Sequence, residues 1–375
     1  MLCYEPTQPQ ISGLKSLSEA IALQLAKLET WSSDIQEQMR RQAMISNIGA
    51  STRIENAVLT DAEVWWIDTE LSEKAGPSGF REREAWIEDK LSKDRERSIE
   101  EVAGCRAMLH IVYQQAKDLF PMSETTLRAL HQELLQFYPP ARPYLGKYKS
   151  VTNSVIERDH RSGQERTVFR TADPGPITEA AMHDLVGWYN QELPQNPWTV
   201  VVDCEWVFRF LAIHPFQDGN GRLGRGLWAL ALLQSPDSNL ARIAPYLAVD
   251  RQIERHRQEY YQVLQRCLGG KFHQDPKRFQ IGHFLQFMTK MLRLSLQDID
   301  FYRDRVTAVQ ELSESALKVY EAFREHPEKR LATQDLLKLT GLPRRTIIHA
   351  LNRLVEKSLI QKLGQGAGVR YQVLF

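Results

Sequence analysis

Two apolar stretches, DCEWVFRFLAI (203–213) and RLGRGLWALALLQ (222–234), are separated by only the eight residues from His214 to Gly221. Each reads as a buried helix, and helices that are apolar on most sides are stable only inside a larger bundle. The chain must therefore surround this pair and its tight loop. Apolar residues recur at helical spacing in Ser16–Thr30, Ser33–Glu55, Ser98–Phe120, Ser123–Phe137, Gln252–Leu268 and Ile281–Leu296. Residues 74–98, interrupted by Gly and Pro and then strongly charged, read as a loop and a solvated helical surface. One strand pair stands out, KYKSVTNSVI (147–156) and ERTVFRT (165–171), with Gly163 available for the turn between them. The last 65 residues follow another plan: helix Ser313–Arg324, helix Thr333–Thr340, a Gly341-Leu342-Pro343 turn, helix Arg344–Lys357, then strand, Gly-rich turn and strand. That order is the order of a winged helix–turn–helix. The expected fold is mainly α, with one β-hairpin in the bundle and a C-terminal winged helix. The expected division is 1–115, 116–305 and 306–375.

The loop His214-Pro215-Phe216-Gln217-Asp218-Gly219-Asn220-Gly221-Arg222-Leu223-Gly224-Arg225 concentrates chemistry. Gly219 and Gly221 flank Asn220 at the mouth of a helix, so backbone N–H groups and the helix dipole form an anion cradle. Arg222 and Arg225 are three apart, hence on one face of the first turn, and both can reach phosphate oxygens. Asp218 offers a single carboxylate, and one carboxylate plus substrate phosphates is a common way to hold Mg²⁺. His214 ends the preceding helix, where an imidazole can act as a base near neutral pH. Together these point to phosphoryl or nucleotidyl transfer. Any one of these residues alone is more often structural. Eight specified positions coincide by chance on the order of once in 10¹⁰ sites.

HPFQDGNGRLGR resembles, position for position, the HPFxxGNGRxxR signature of the Fic (filamentation induced by cAMP) family of AMP-transferring enzymes. The resemblance implies a helical bundle with a β-hairpin flap, and transfer of AMP from ATP to a hydroxyl side chain of a protein with release of pyrophosphate. It implies that His214 deprotonates the hydroxyl, that Phe216 anchors the loop, and that Asp218 holds Mg²⁺. It gives Gly219, Asn220 and Gly221 the α/β-phosphates, Arg222 the β-phosphate and Arg225 the γ-phosphate, with Leu223 and Gly224 inside the same nucleotide-binding run. The 147–171 hairpin lies where the family's flap lies, and its edge could align a target segment by strand addition. HRQEYYQVL (256–264) is similar to the family's R-x-x-Y-Y helix, which makes Tyr260 and Tyr261 candidates for the nucleotide pocket. Where some relatives carry a pocket Asn, Cys267-Leu268 stand instead.

Upstream, Ser51-Thr52-Arg53-Ile54-Glu55-Asn56 fits the S/T-x-x-x-E-G/N pattern that marks an inhibitory helix in that family. Glu55 beside Arg225 would form a charge-assisted pair and occupy the guanidinium meant for the γ-phosphate. Asn56 suits the left-handed position after a helix. Such a chain would belong to the N-terminally inhibited class.

Charge narrows the partners. Lys+Arg (48) nearly equals Asp+Glu (47), so the whole molecule is not a polyanion binder. Residues 311–375, however, carry eleven Lys/Arg against seven Asp/Glu. Arg344, Arg345, His349 and Arg353 fall on the expected recognition helix, and Lys362 and Arg370 on the wing, a placement suited to DNA phosphates. The alternative function is accordingly a DNA-binding regulator whose core senses nucleotide. Four dispersed cysteines without a CxxC pair argue against a disulfide framework or zinc cluster and suit a reducing compartment. No apolar run approaches membrane-spanning length, and the N-terminus has no secretory pattern, so the expected location is cytoplasmic without a membrane partner. The expected partners are a protein carrying an acceptor hydroxyl, with room left for DNA and for a homodimer.

Overall fold

The computed structural model describes residues 2–74, 79–91, 95–158 and 165–375. In chain order the helices are α1 (Gln8–Leu28), α2 (Ser33–Ile54), α3 (Asp61–Lys74), α4 (Phe80–Leu91), α5 (Glu96–Gln115) and α6 (Glu124–Leu135). The antiparallel hairpin β1 (Ser154–Arg158) and β2 (Glu165–Arg170) follows. Next come α7 (Pro176–Glu192), α8 (Thr199–Ile213), α9 (Asn220–Gln234), α10 (Ser238–Ile243), α11 (Val249–Arg255), α12 (Arg257–Leu268) and α13 (Ile281–Gln310). The C-terminal module consists of α14 (Glu314–Glu325), α15 (Thr333–Thr340), α16 (Arg344–Glu356) and the antiparallel pair β3 (Ile360–Leu363) and β4 (Arg370–Val373). The fold is mainly helical. No described helix is long and apolar enough to cross a membrane.

Every residue of α8 is buried, and α9 lies against it. Gly224 permits that approach, because a Cβ there would stand 2.8 Å from Leu211 Cδ2. Around this pair, α2, α5 and α13 supply apolar residues to one continuous core that also holds Leu17, Ile67 and Val102. The expected boundary at 115/116 therefore separates no cores, and the one at 305/306 falls inside α13. A second apolar cluster, built on Val319, Phe323, Leu336, Ile347, Leu351 and Leu354, belongs to the C-terminal module and takes in Ala62 of α3. All four cysteines are free.

Several elements differ from expectation. Residues 147–153 are not strand: Lys149 donates its N–H to Pro215 O at 2.8 Å and Tyr148 bridges Phe216, so this stretch is fastened to the loop instead. Residues 61–74 carry no predicted element yet form α3, because its acids are buried against arginines, as Asp68 is against Arg106 at 2.8 Å. The expected helix 252–268 breaks at His256. The turn at Gly163 and parts of the charged 74–98 segment lie outside the described residues.

Candidate functional site

The loop between α8 and α9 is held by its own side chains. His214 closes α8 in a left-handed conformation (φ +53°), uncommon for a residue other than glycine, with its N–H donated to Phe210 O at 2.9 Å. Phe216 is fully buried and stacks on His131 at 3.9 Å between centroids. The Asn220 amide locks the turn: Oδ1 accepts the Phe216 N–H at 2.9 Å and Nδ2 donates to Phe216 O at 2.7 Å. Asn220 thus spends its side chain on the loop and keeps only its backbone N–H for a ligand. Gly219 sits at φ +78°, where a Cβ would also press on Leu134. Its amide donates to Asp218 Oδ1 at 2.6 Å. The amides of Asn220, Gly221 and Arg222 have no partner among the described residues. They are the first donors of α9, at the positive end of the helix dipole.

Charge is arranged around those free amides. Arg222 is 2% exposed, with Glu101 at 3.6 Å and Asp218 at 3.4 Å, while its Nε and Nη1 lack hydrogen-bond partners among the described residues. Buried guanidinium donors without acceptors are costly, so this arginine suits an incoming anion. Arg225 is engaged through two of its nitrogens: Nε donates to Ser51 Oγ at 2.8 Å, and Nη2 to Ser51 O at 2.8 Å and to Glu55 Oε1 at 2.9 Å. A Cβ on Gly221 would collide with Glu55 Oε1, which places that carboxylate directly over the first turn of α9.

His214 is neutral at physiological pH. Burial, then the neighbouring Lys149 ammonium, pushes its imidazole down to about 4. Its Nδ1–H donates to Leu211 O at 3.3 Å, leaving Nε2 as the lone-pair nitrogen. Lys149 is itself buried, pushed down to about 8, and satisfied by Asn153 Oδ1, Thr171 Oγ1 and Ile213 O at 2.8–3.1 Å.

One cavity of about 210 Å³ gathers His214, Asp218, Gly219, Asn220, Gly221, Arg222, Arg225, Tyr260, Tyr261 and Glu55, with Asn153, Val155 and Ile156 of the hairpin region on its wall. Leu223 and Gly224 are not among its lining residues. Leu223 is a core side chain whose N–H donates to Gly219 O, and Gly224 serves the packing of α9 on α8. At the end of α2, Asn56 adopts φ +78° as expected. Arg53 binds Glu254 at 2.6 Å and Asp61 at 2.8 Å, and Arg257 Nε donates to Ile54 O at 3.1 Å. These contacts fix where Glu55 starts from.

Two contributors escape the sequence. His131 receives the Gly146 N–H on Nδ1 and donates Nε2–H to Asp218 O at 3.1 Å, so it supports the loop from below. In sequence it is only a histidine on an apolar helix face. Lys149 likewise lies far from the loop in the chain and carries no local pattern, whereas Ser51 opens the S/T-x-x-x-E-G/N segment and Arg257 the R-x-x-Y-Y segment.

Residues 121–232 match the family model described as Fic/DOC family. A Fido domain-containing protein of Dictyostelium discoideum is 39% identical over 77 residues, 20% of this chain and 50% of that protein. The chain thus spans about half the length of the curated relative it matches. Among solved structures, a Fic family protein from Desulfovibrio desulfuricans G20 is similar at TM-score 0.55 and 23% identity, over 100% of this chain and 98% of that one. A Fic domain containing signaling protein from Bacteroides thetaiotaomicron VPI-5482 is similar at TM-score 0.55 and 21% identity, over 78% of this chain and 96% of that one. Fic-1 from C. elegans is similar at TM-score 0.54 and 15% identity, over 78% and 72%. Likeness at these identities shows the fold.

Proposed function

We propose that this chain transfers AMP from ATP to a Ser, Thr or Tyr hydroxyl of a protein, another's or its own, releasing pyrophosphate. The observation that carries this reading is a single small cavity with free helix-start amides, an under-satisfied guanidinium and a neutral histidine on its wall. The triphosphate would lie against the N–H groups of Asn220, Gly221 and Arg222, with Arg222 answering the β-phosphate. Nε2 of His214 would take the acceptor's proton as its oxygen bonds to the α-phosphorus and the bond to the bridging oxygen breaks. Asp218, one-third exposed beside the free amides, suits Mg²⁺, which needs only one or two carboxylates when phosphate oxygens complete its shell. Mg²⁺ would supply charge neutralisation on the phosphates. Tyr260 and Tyr261 would border the nucleoside.

In this reading Glu55 restrains the reaction, since the guanidinium suited to the γ-phosphate is taken by an internal acid. Target segments would add to β1. β2 is already paired on its outer side near Arg170, which exchanges hydrogen bonds with Gly270 and Phe272. Incubation with labelled ATP and Mg²⁺ tests the proposal: label should appear on protein with Glu55→Gly, less with wild type and none with His214→Ala.

A second reading has its own observation. If the C-terminal module is a winged helix–turn–helix, α16 is its recognition helix, and Arg344, Arg345, His349 and Arg353 are all exposed on it, with Lys362 and Arg370 exposed on the hairpin. The module would then bring the chain to DNA in a reducing, cytoplasmic setting. A salt-dependent shift of duplex DNA that is weakened in Arg344→Ala/Arg345→Ala tests this reading.

A further inference from the structure

A second cavity, about 420 Å³, opens between the C-terminal module and the body of the bundle. Its size falls in the range of about 300–1,000 Å³ that holds small organic molecules. Its wall is mostly apolar, with Trp65 of α3, Val306 and Val309 of α13, Tyr320 of α14 and Val373 of β4. Three arginines reach it, and they are not equivalent. Arg41 is paired with Asp68 at 2.8 Å, and Arg324 lies over the Trp65 ring at 3.4 Å. Arg305 is 8% exposed and meets only neutral groups: the carbonyls of Ser358, at 3.2 Å, and Leu374, and the Tyr320 hydroxyl. No carboxylate pairs with it among the described residues, and Arg251 adds like charge nearby. A second polar group on the same wall is unanswered, since Gln42 Oε1 of α2 is buried without a donor among the described residues.

A buried cation that lacks an acid carries a desolvation cost which carbonyl dipoles offset only in part. Beside an apolar concavity it is the arrangement that selects an anionic head on an apolar body. We propose that this cavity binds a small organic carboxylate, its apolar body between Trp65, Val309 and Tyr320, its carboxylate toward Arg305 and a protic substituent toward Gln42. Such an occupant touches α2 and α14 at once, so it draws the C-terminal module onto the helix whose last turn precedes Glu55. The site is separate from the loop cavity and does not depend on the reaction proposed for it.

The test uses the full chain and paired probes: indole-3-acetate, naphthalene-1-acetate and phenylacetate, each beside its uncharged amide, followed by ligand-observed saturation-transfer NMR. The expected result is saturable binding of at least one acid, with its amide about tenfold or more weaker. Val309→Trp, which fills the cavity and leaves Arg305 in place, should abolish that binding while circular dichroism and AMP transfer stay as in wild type. Arg305→Gln should bring the acid down to the affinity of its amide. No saturable binding of any acid up to about 5 mM, equal binding of acid and amide, or undiminished binding to Val309→Trp would each overturn the proposal.

Discussion

The molecule buries guanidinium groups in two concavities and treats them differently. In the loop cavity, Arg225 is met by an acid from its own chain, Glu55, together with both oxygens of Ser51. In the inter-module cavity, Arg305 is met by carbonyls and a phenol and by no acid. A site closed by an internal carboxylate has to be opened before an outside anion can compete, whereas a site closed by neutral dipoles is already open to one. The difference lies in the net charge left over after folding, not in burial, because both arginines are less than one-tenth exposed.

The largest expected effect tests whether the two concavities are independent. Replacing His214 with Ala removes the imidazole proposed as the base and should lower AMP transfer on the order of 10²–10⁴-fold, while carboxylate binding at Arg305 should be untouched. Parallel transfer assays and NMR titrations on one preparation measure both. Next, Glu55→Gly converts the first kind of site into the second. A charge-assisted hydrogen bond is worth about 1.5–3 kcal/mol, so transfer should rise roughly 10- to 150-fold. Equal labelling by wild type and variant would mean that an internal acid closes nothing, and the contrast would fail.

Acid should expose a third difference. His214 and His131 are each held down to about 4 by burial first, against about 6.5 for a free imidazole. Below about 6.5 these two imidazoles take up protons in the unfolded chain that the folded chain refuses, so their contribution to stability falls as pH drops from about 6.5 to about 4 and is level above that window. His131→Asn should flatten part of that slope in denaturant titrations, and it should do so without affecting Arg305, which does not titrate there. The smallest effect concerns α16: Arg344→Ala/Arg345→Ala should reduce the salt slope of DNA binding by up to about two and leave both cavities unchanged.

The legibility of these regions follows from how local their chemistry is. The 214–225 loop was readable because a turn, a helix start and two same-face arginines are all set by spacing within twelve residues. Glu55 was readable for a related reason, since helix end, acid and left-handed Asn56 are consecutive. The motif does not say which side of α9 faces the core, and Leu223 and Gly224 sit on the packed side. Lys-Tyr-Lys-Ser-Val alternates like a strand, whereas contact with Pro215 decides the conformation of Lys149. α3 is hard to see in the sequence, because its acids look solvated there and are paired in space. Arg305 gives no signal at all: nothing in a run of letters reveals that an arginine lacks a counter-charge.

The fastening of α2 has a mechanical consequence. Its final turn is tied to α11 and α12 through Arg53–Glu254 and through Arg257, which caps Ile54 and also lies over the Tyr261 ring at 5.3 Å. None of these ties passes through the Glu55 carboxylate, and Ser51 keeps its own two bonds to Arg225. The carboxylate of Glu55 can consequently swing aside by rotating about its own side-chain bonds, like a bolt drawn in a door frame that never shifts, and nothing has to unfold for the way to clear.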